Sequence, residues 1–206
     1  QLFDRDTCTY TYLLACKRTR EAVLIDPVRE LAERDEAFVR ELGLDLKYVF
    51  ETHVHADHVT AAAILKQRLG AELAASARAG VKAEHRALED GDIVRFGDQV
   101  LGVRLTPGHT DGCATYVTRD GAMAFTGDAL FVRGCGRTDF QQGDARTLYR
   151  SVHDKIFSLS DDCALYPAHD YKGRTSTTVH EERAFNPRLG GGRSEDEFVS
   201  IMEALK

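Results

Sequence analysis

Six residues constrain this chain more than any other feature. His53, Val54, His55, Ala56, Asp57 and His58 read H-x-H-x-D-H directly after the apolar run LKYVFET at 46–52. Imidazoles crowded this tightly repel one another when protonated, and they gain from proximity when they share a cation. With 8 His in 206 residues, chance produces such a pattern about once in a thousand chains of this kind. The motif therefore reads as a metal site, placed in a loop at a strand end where binding residues concentrate.

The same placement recurs three times. His109 lies in TPGHTDG after the run QVLGVRLT, Asp128 in FTGDALF after AMAFT, and His169 in YPAHDY after CALY. A fold that uses all of them must bring several strand ends to one edge. His85, His153 and His180 lack that placement and read as surface residues.

The periodicity supports such a fold. Residues 9–16 and 21–26 read as a hairpin. A helix is expected from about Glu30, with Leu31, Phe38 and Leu42 on one side and Gly43 as its stop. A second helix is expected over 59–69 before Gly70, then a run of strands from 72 to 126. Helix returns at 144–157, a strand at 163–166 and a short final helix at 195–205. Runs of strands with helices between some of them predict layered sheets, a two-sheet sandwich with outer helices in one domain over 1–206, rather than a doubly wound fold.

The formal net charge of −6 gives no global attraction to nucleic acid or anionic lipid. Apolar stretches such as AAAIL at 61–65 fall far short of the roughly 18 residues of a membrane helix. Neither nucleic acid nor membrane is an expected partner. Cys8, Cys16, Cys113, Cys135 and Cys163 are scattered without a C-x-x-C pair, which fits free thiols in a reducing compartment. The expected location is cytoplasmic for a bacterial chain and the mitochondrial matrix for a eukaryotic one. Cys135 reads as a small residue in a tight loop rather than a nucleophile, because no thiolate-activating group stands beside it in sequence.

These metal-site residues resemble the metallo-β-lactamase superfamily over nearly the whole chain. The resemblance implies an αββα sandwich of two mixed sheets flanked by helices (α/β, α+β), with metal at one edge. In dinuclear zinc members of that superfamily, His53, His55 and His109 correspond to one site, Asp57, His58 and His169 to the other, and Asp128 to the bridge. All seven positions are filled, so the ligand inventory taken alone leads to a dizinc hydrolase.

A longer segment points to a subfamily. RGCGRTDFQQGDARTLYRSVHDKIFSL at 133–159, with YPAHDYKG at 166–173 and NPRL at 186–189, is similar to the persulfide dioxygenases, also called sulfur dioxygenases. That resemblance implies one Fe(II) per chain held by His53, His109 and Asp128, with His55, Asp57, His58, His169 and Asp170 near the site. Two imidazoles and a carboxylate on one face of iron leave positions open for substrate sulfur and O2. It further implies glutathione persulfide and O2 as partners, with sulfite and glutathione as products and no catalytic side chain beyond the metal site. A second copy of the chain, in a homodimer, stands among the candidate partners. Glutathione carries carboxylates at both ends, which makes Arg137, Lys172, Arg174 and Arg188, with Tyr171, the candidate substrate contacts. The alternative reading is a dizinc hydroxyacylglutathione thioesterase of the glyoxalase II type.

Overall fold

The structure, a computed structural model, describes residues 1–205; Lys206, the last residue of the expected domain, lies outside them. Among the described residues twelve strands form two sheets. In the first, β1 (Leu2–Phe3), β2 (Tyr10–Ala15), β3 (Glu21–Ile25), β4 (Asp45–Phe50), β5 (Glu72–Ser76) and β6 (Arg86–Leu88) lie side by side in chain order. In the second, β7 (Ile93–Phe96), β8 (Gln99–Leu105), β9 (Ala114–Thr118), β10 (Met123–Gly127), β11 (Ala164–Pro167) and β12 (Thr177–Thr178) do the same. Both sheets are mixed: β3–β4–β5–β6 and β10–β11 pair parallel, the rest antiparallel.

The parallel pairs determine where the site sits, because parallel strands end at the same edge of a sheet. Ile25 pairs with Phe50, so Asp26 and Glu51 leave β3 and β4 at the same level. Gly127 pairs with Pro167, which starts the Asp128 and His169 loops together. Two antiparallel steps, β8 to β9 to β10, make β8 run the same way as β10, and His109 follows its end.

Apolar residues alternate along the strands and fill the space between the sheets, with Tyr12, Ile25, Phe50, Leu101, Tyr116 and Phe125 at its centre. Helices cover the outer faces. Helices α1 (Ala32–Glu41) and α2 (Ala62–Leu69) pack Val39 and Leu65 on Leu24 and Val49 of the first sheet. Helices α3 (Ala145–Ser151), α4 (Val179–Phe185) and α5 (Glu195–Glu203) pack Leu148, Val179 and Phe198 around Leu165 of the second and Leu130 of the loop after β10. This is the expected αββα sandwich. Among the described residues no helix is long and apolar enough to cross a membrane.

Several local expectations are corrected. Helix α1 buries Ala32, Asp35 and Val39 and exposes Phe38 and Leu42. The apolar residues at 31, 38 and 42 suggested a different stripe because the buried one contains a carboxylate, Asp35, paired with Arg34 at 2.8 Å. Helix α2 starts at Ala62 rather than 59, since residues 59–61 are drawn into backbone bonds with Arg29 and Pro27. The expected helix over 144–157 is α3 followed by a π-turn, Val152–Ile156. His153 is half-buried, not a surface residue. Strands β1, β6 and β12 and helix α4 carried no periodic signal, three of them being only two or three residues long.

Candidate metal centre

His53, His109 and Asp128 are buried at the sandwich edge, and their ligand atoms lie within 4.8 Å of one another. His53 Nδ1 is 3.0 Å from Thr52 Oγ1. That hydroxyl gives its own proton to Asp26 Oδ2 at 2.7 Å, so it accepts from Nδ1–H. His109 Nδ1–H donates to the Arg137 carbonyl at 2.7 Å. Both imidazoles therefore carry their proton on Nδ1 and turn the Nε2 lone pair inward, as metal-binding histidines do when a neighbour fixes the tautomer. The two Nε2 atoms stand 3.8 and 3.6 Å from Asp128 Oδ2.

Close approach of backbone makes this arrangement depend on Gly136. A Cβ there would lie 2.7 Å from His109 Nδ1 and 2.6 Å from the Asp128 carbonyl, so no larger residue fits without displacing the ligand.

His55, Asp57, His58 and His169 form a second group of mutually close ligand atoms. His169 joins the two groups: Nδ1 is 2.7 Å from Asp128 Oδ1, and Nε2 is 3.1 Å from both Asp57 Oδ2 and Thr9 Oγ1. Burial pushes the His169 pKa down, but the Asp128 and Asp57 carboxylates outweigh it and raise it to about 10. Burial also works against the charge on Asp128, and the surrounding imidazoles hold its carboxyl well below the usual range. For His53, burial and then the His55 ring depress protonation strongly.

The donor set fits a metal ion. Both ring nitrogens of His55 and Nε2 of His58 are buried without any hydrogen-bond partner among the described residues. A neutral imidazole offers one lone pair, so a cation would satisfy one nitrogen of each ring. The other nitrogen of His55 has Asp26 Oδ1 at 3.3 Å, and at the triad the inward Nε2 lone pairs of His53 and His109 offer a cation the same, with the Asp128 carboxylate beside them.

A cavity of about 690 Å³ opens over the triad. Arg137, Tyr171, Lys172 and Arg188 line it, as does Asp170. Tyr171 is mostly exposed and stacks on His169, with ring centroids 6.1 Å apart and planes 2° from parallel. Asp170 is buried and accepts from the backbone N–H groups of Lys172 and Arg174 at 2.9 and 2.5 Å. Arg174 itself reaches away, donating to the Val132 carbonyl at 3.2 Å. The Arg137 guanidinium is engaged by the Asp139 carboxylate as a two-point fork at 2.7 and 2.8 Å, so a substrate carboxylate would have to compete with Asp139.

Three supporting residues escaped sequence reasoning. Asp26 is fully buried, accepts from Thr52 N–H and Oγ1 at 2.7 Å each, and faces His55 Nε2 at 3.3 Å. It directly follows the run EAVLI, so the rule that found the other residues, a polar group where a strand stops, applies to it as well. Glu51, whose carbonyl accepts from Tyr116 Oη at 2.6 Å, follows the end of β4 in the same way, whereas Thr9, on His169, carries no comparable signal.

Comparison with known proteins agrees with the geometry. Residues 7–170 match the family model of the metallo-beta-lactamase superfamily. The chain is 56% identical over 206 residues to the mitochondrial persulfide dioxygenase ETHE1 of Homo sapiens, covering all of this chain and 80% of that protein. It belongs to the persulfide dioxygenase family. Like other persulfide dioxygenases it is an oxidoreductase. The crystal structure of ETHE1 from Myxococcus xanthus superposes with a TM-score of 0.96 at 50% identity, covering all of this chain and 90% of that one. The hydroxyacylglutathione hydrolase GloC of Haemophilus influenzae is more distant, at 35% identity over 82% of this chain and 88% of that protein.

Proposed function

We propose that this persulfide dioxygenase uses one Fe(II) to oxidise glutathione persulfide. One persulfide, one O2 and one water give glutathione, sulfite and two protons. The observation that carries the reading is the division of labour at Asp128: Oδ2 faces the inward lone pairs of His53 and His109, while Oδ1 is held by His169. That division supports a single ion on a two-histidine, one-carboxylate face. When bound there, Fe(II) supplies adjacent open positions at which sulfur and O2 can meet.

The chain's own residues do the rest. Thr52 and the Arg137 carbonyl hold the two tautomers, and Asp26 orients Thr52. His169 keeps Asp128 from rotating. Arg188 and Lys172, on the cavity wall, are the cations placed to receive the carboxylates of glutathione, with Tyr171 beside them. Arg137 joins them if it exchanges Asp139 for substrate, and Arg174 contributes chiefly by closing the turn on Asp170.

An oxygen electrode and a sulfite assay on iron-loaded protein test the proposal. O2 uptake matched one to one by sulfite, with about one iron per chain, is the expected result. Two zincs per active chain and rapid anaerobic cleavage of S-lactoylglutathione would overturn it in favour of the hydrolase.

A further inference from the structure

Helix α3 passes into the π-turn Val152–Ile156, where one extra residue is wound into the helix. Such insertions gather at positions with a function. Here the insertion accompanies an inward-facing His153. Its ring stacks on Tyr149, with centroids 4.0 Å apart and planes at 22°, and meets Phe157 edge-on at 5.0 Å. Nε2 reaches the Leu189 carbonyl at 3.1 Å. A carbonyl can only accept, so Nε2 carries a proton and donates it.

Leu189 belongs to the loop at 186–192, NPRLGGG. The same loop carries Arg188, which lines the cavity over the metal triad and donates from Nη1 to the Cys135 carbonyl at 3.1 Å. On one side Asn186 Oδ1 grips the loop, accepting from the N–H groups of Arg188 and Leu189 at 3.0 Å each. On the other side the grip comes from α3 and its π-turn: His153 on Leu189, and the Tyr149 hydroxyl on the Arg193 carbonyl at 2.7 Å. Gly190 and Gly191 tie the end of the loop back to α4, their N–H groups donating to the Asn186 and Arg183 carbonyls at 2.9 Å each, and Arg193 Nε donates to the Pro187 carbonyl at 2.9 Å. The buried Leu189 side chain and these bonds together set the position of Arg188 along the cavity wall, and His153 is the side chain that grips the carbonyl next to Arg188 from the π-turn.

We propose that His153 is a positioning residue for substrate, acting through the Leu189 carbonyl to hold Arg188 in the cavity. This rests on the reading of Arg188 as a contact for a glutathione carboxylate. His153 touches neither metal triad nor cavity, so its loss should appear as weaker binding and not as lost metal.

The test measures KM for glutathione persulfide, the Kd of glutathione by calorimetry, and iron content in four variants and one double variant. Losing one neutral hydrogen bond predicts that His153→Leu raises KM and Kd about 2–12-fold, with iron content and kcat maintained. His153→Gln places an amide N–H near the position of Nε2 and should restore both values. His153→Asn is too short and should not. In an Arg188→Ala background His153→Leu should add nothing further. Normal KM and Kd in His153→Leu, or a full additional loss in the double variant, would overturn the proposal. If His153→Leu fails to fold, the Gln and Asn pair decides: equal values in both overturn it. If Arg188→Ala itself leaves KM and Kd unchanged, the reading of Arg188 fails and this inference falls with it. If Arg188→Ala weakens binding while every His153 variant is normal, only this inference falls.

Discussion

His169 donates from Nδ1 to Oδ1 of Asp128 across 2.7 Å, and the other oxygen of that carboxylate faces the ring nitrogens of His53 and His109. One side chain is thus shared between a metal face and a hydrogen-bonded support. Losing one of three ligands removes the metal site, whereas losing an orienting partner lowers affinity by roughly 10–100-fold. His53→Ala and His109→Ala should therefore bind no iron, and His169→Ala should retain a weakened site. Metal content after dialysis against graded chelator concentrations checks this. Equal metal loss in all three variants would point to a second ion shared through His169.

Gly136 makes the same site sensitive to a single methyl group. A Cβ at 136 would meet His109 Nδ1, the atom that bonds the Arg137 carbonyl, at 2.7 Å. Gly136→Ala should lose iron while staying folded. Gly134→Ala, where a Cβ would meet only Phe131 at 3.7 Å, should bind iron normally. Iron content and circular dichroism on both variants compare them directly.

A buried ion pair fastens the wall of the cavity. Glu182 is fully buried and takes Arg133 by its backbone N–H and its guanidinium, together with Thr177 and the Asn186 amide. Without the guanidinium, Glu182 stays buried with three neutral donors, the Arg133 N–H, Thr177 and Asn186, so the cost is that of a charge-assisted hydrogen bond, about 1.5–3 kcal/mol. Arg133→Met should show a loss of this size in urea unfolding, since its Glu182 carboxylate remains. Combining it with Glu182→Gln should recover part of the loss, and an additive double variant would argue against coupling of the two.

The convergence of the candidate ligands is legible in the sequence because each one follows an apolar run, and the parallel pairing of β3 with β4 and β10 with β11 turns that placement into proximity. Side-chain direction was not legible. Arg137 and Asp139 are two residues apart, and no periodicity shows that their charges meet in a loop instead of meeting a substrate. Asp35 hid the buried stripe of α1 because a paired carboxylate looks like a surface residue in a hydrophobicity pattern. His153 reads as a surface residue only because it does not follow a strand, a criterion that says nothing about which side of a helix a residue presents.

Acid weakens the contact between α3 and α5. Glu195, at the start of α5, accepts from Arg150 and Arg146 of α3, and these hydrogen bonds lower its pKa to about 2. An unfolded glutamate titrates near 4.3. A carboxyl depressed on folding contributes stability that is fully present above the unfolded value and is lost as pH falls toward the folded one. The α3–α5 clamp therefore stabilises the protein at neutral pH and weakens progressively between about pH 5 and 2. Glu195→Gln should lower the melting temperature at pH 7 by about 1–4 °C, the range for a solvent-accessible ion pair in a protein of this size. The gap between the variant and the parent should narrow steadily as pH is taken from 5 toward 3, and it should shrink at pH 7 when salt is raised from 0.05 to about 1 M. A gap that stays constant across both series would mean that the charge of Glu195 contributes nothing and that the clamp does not act as an ion pair.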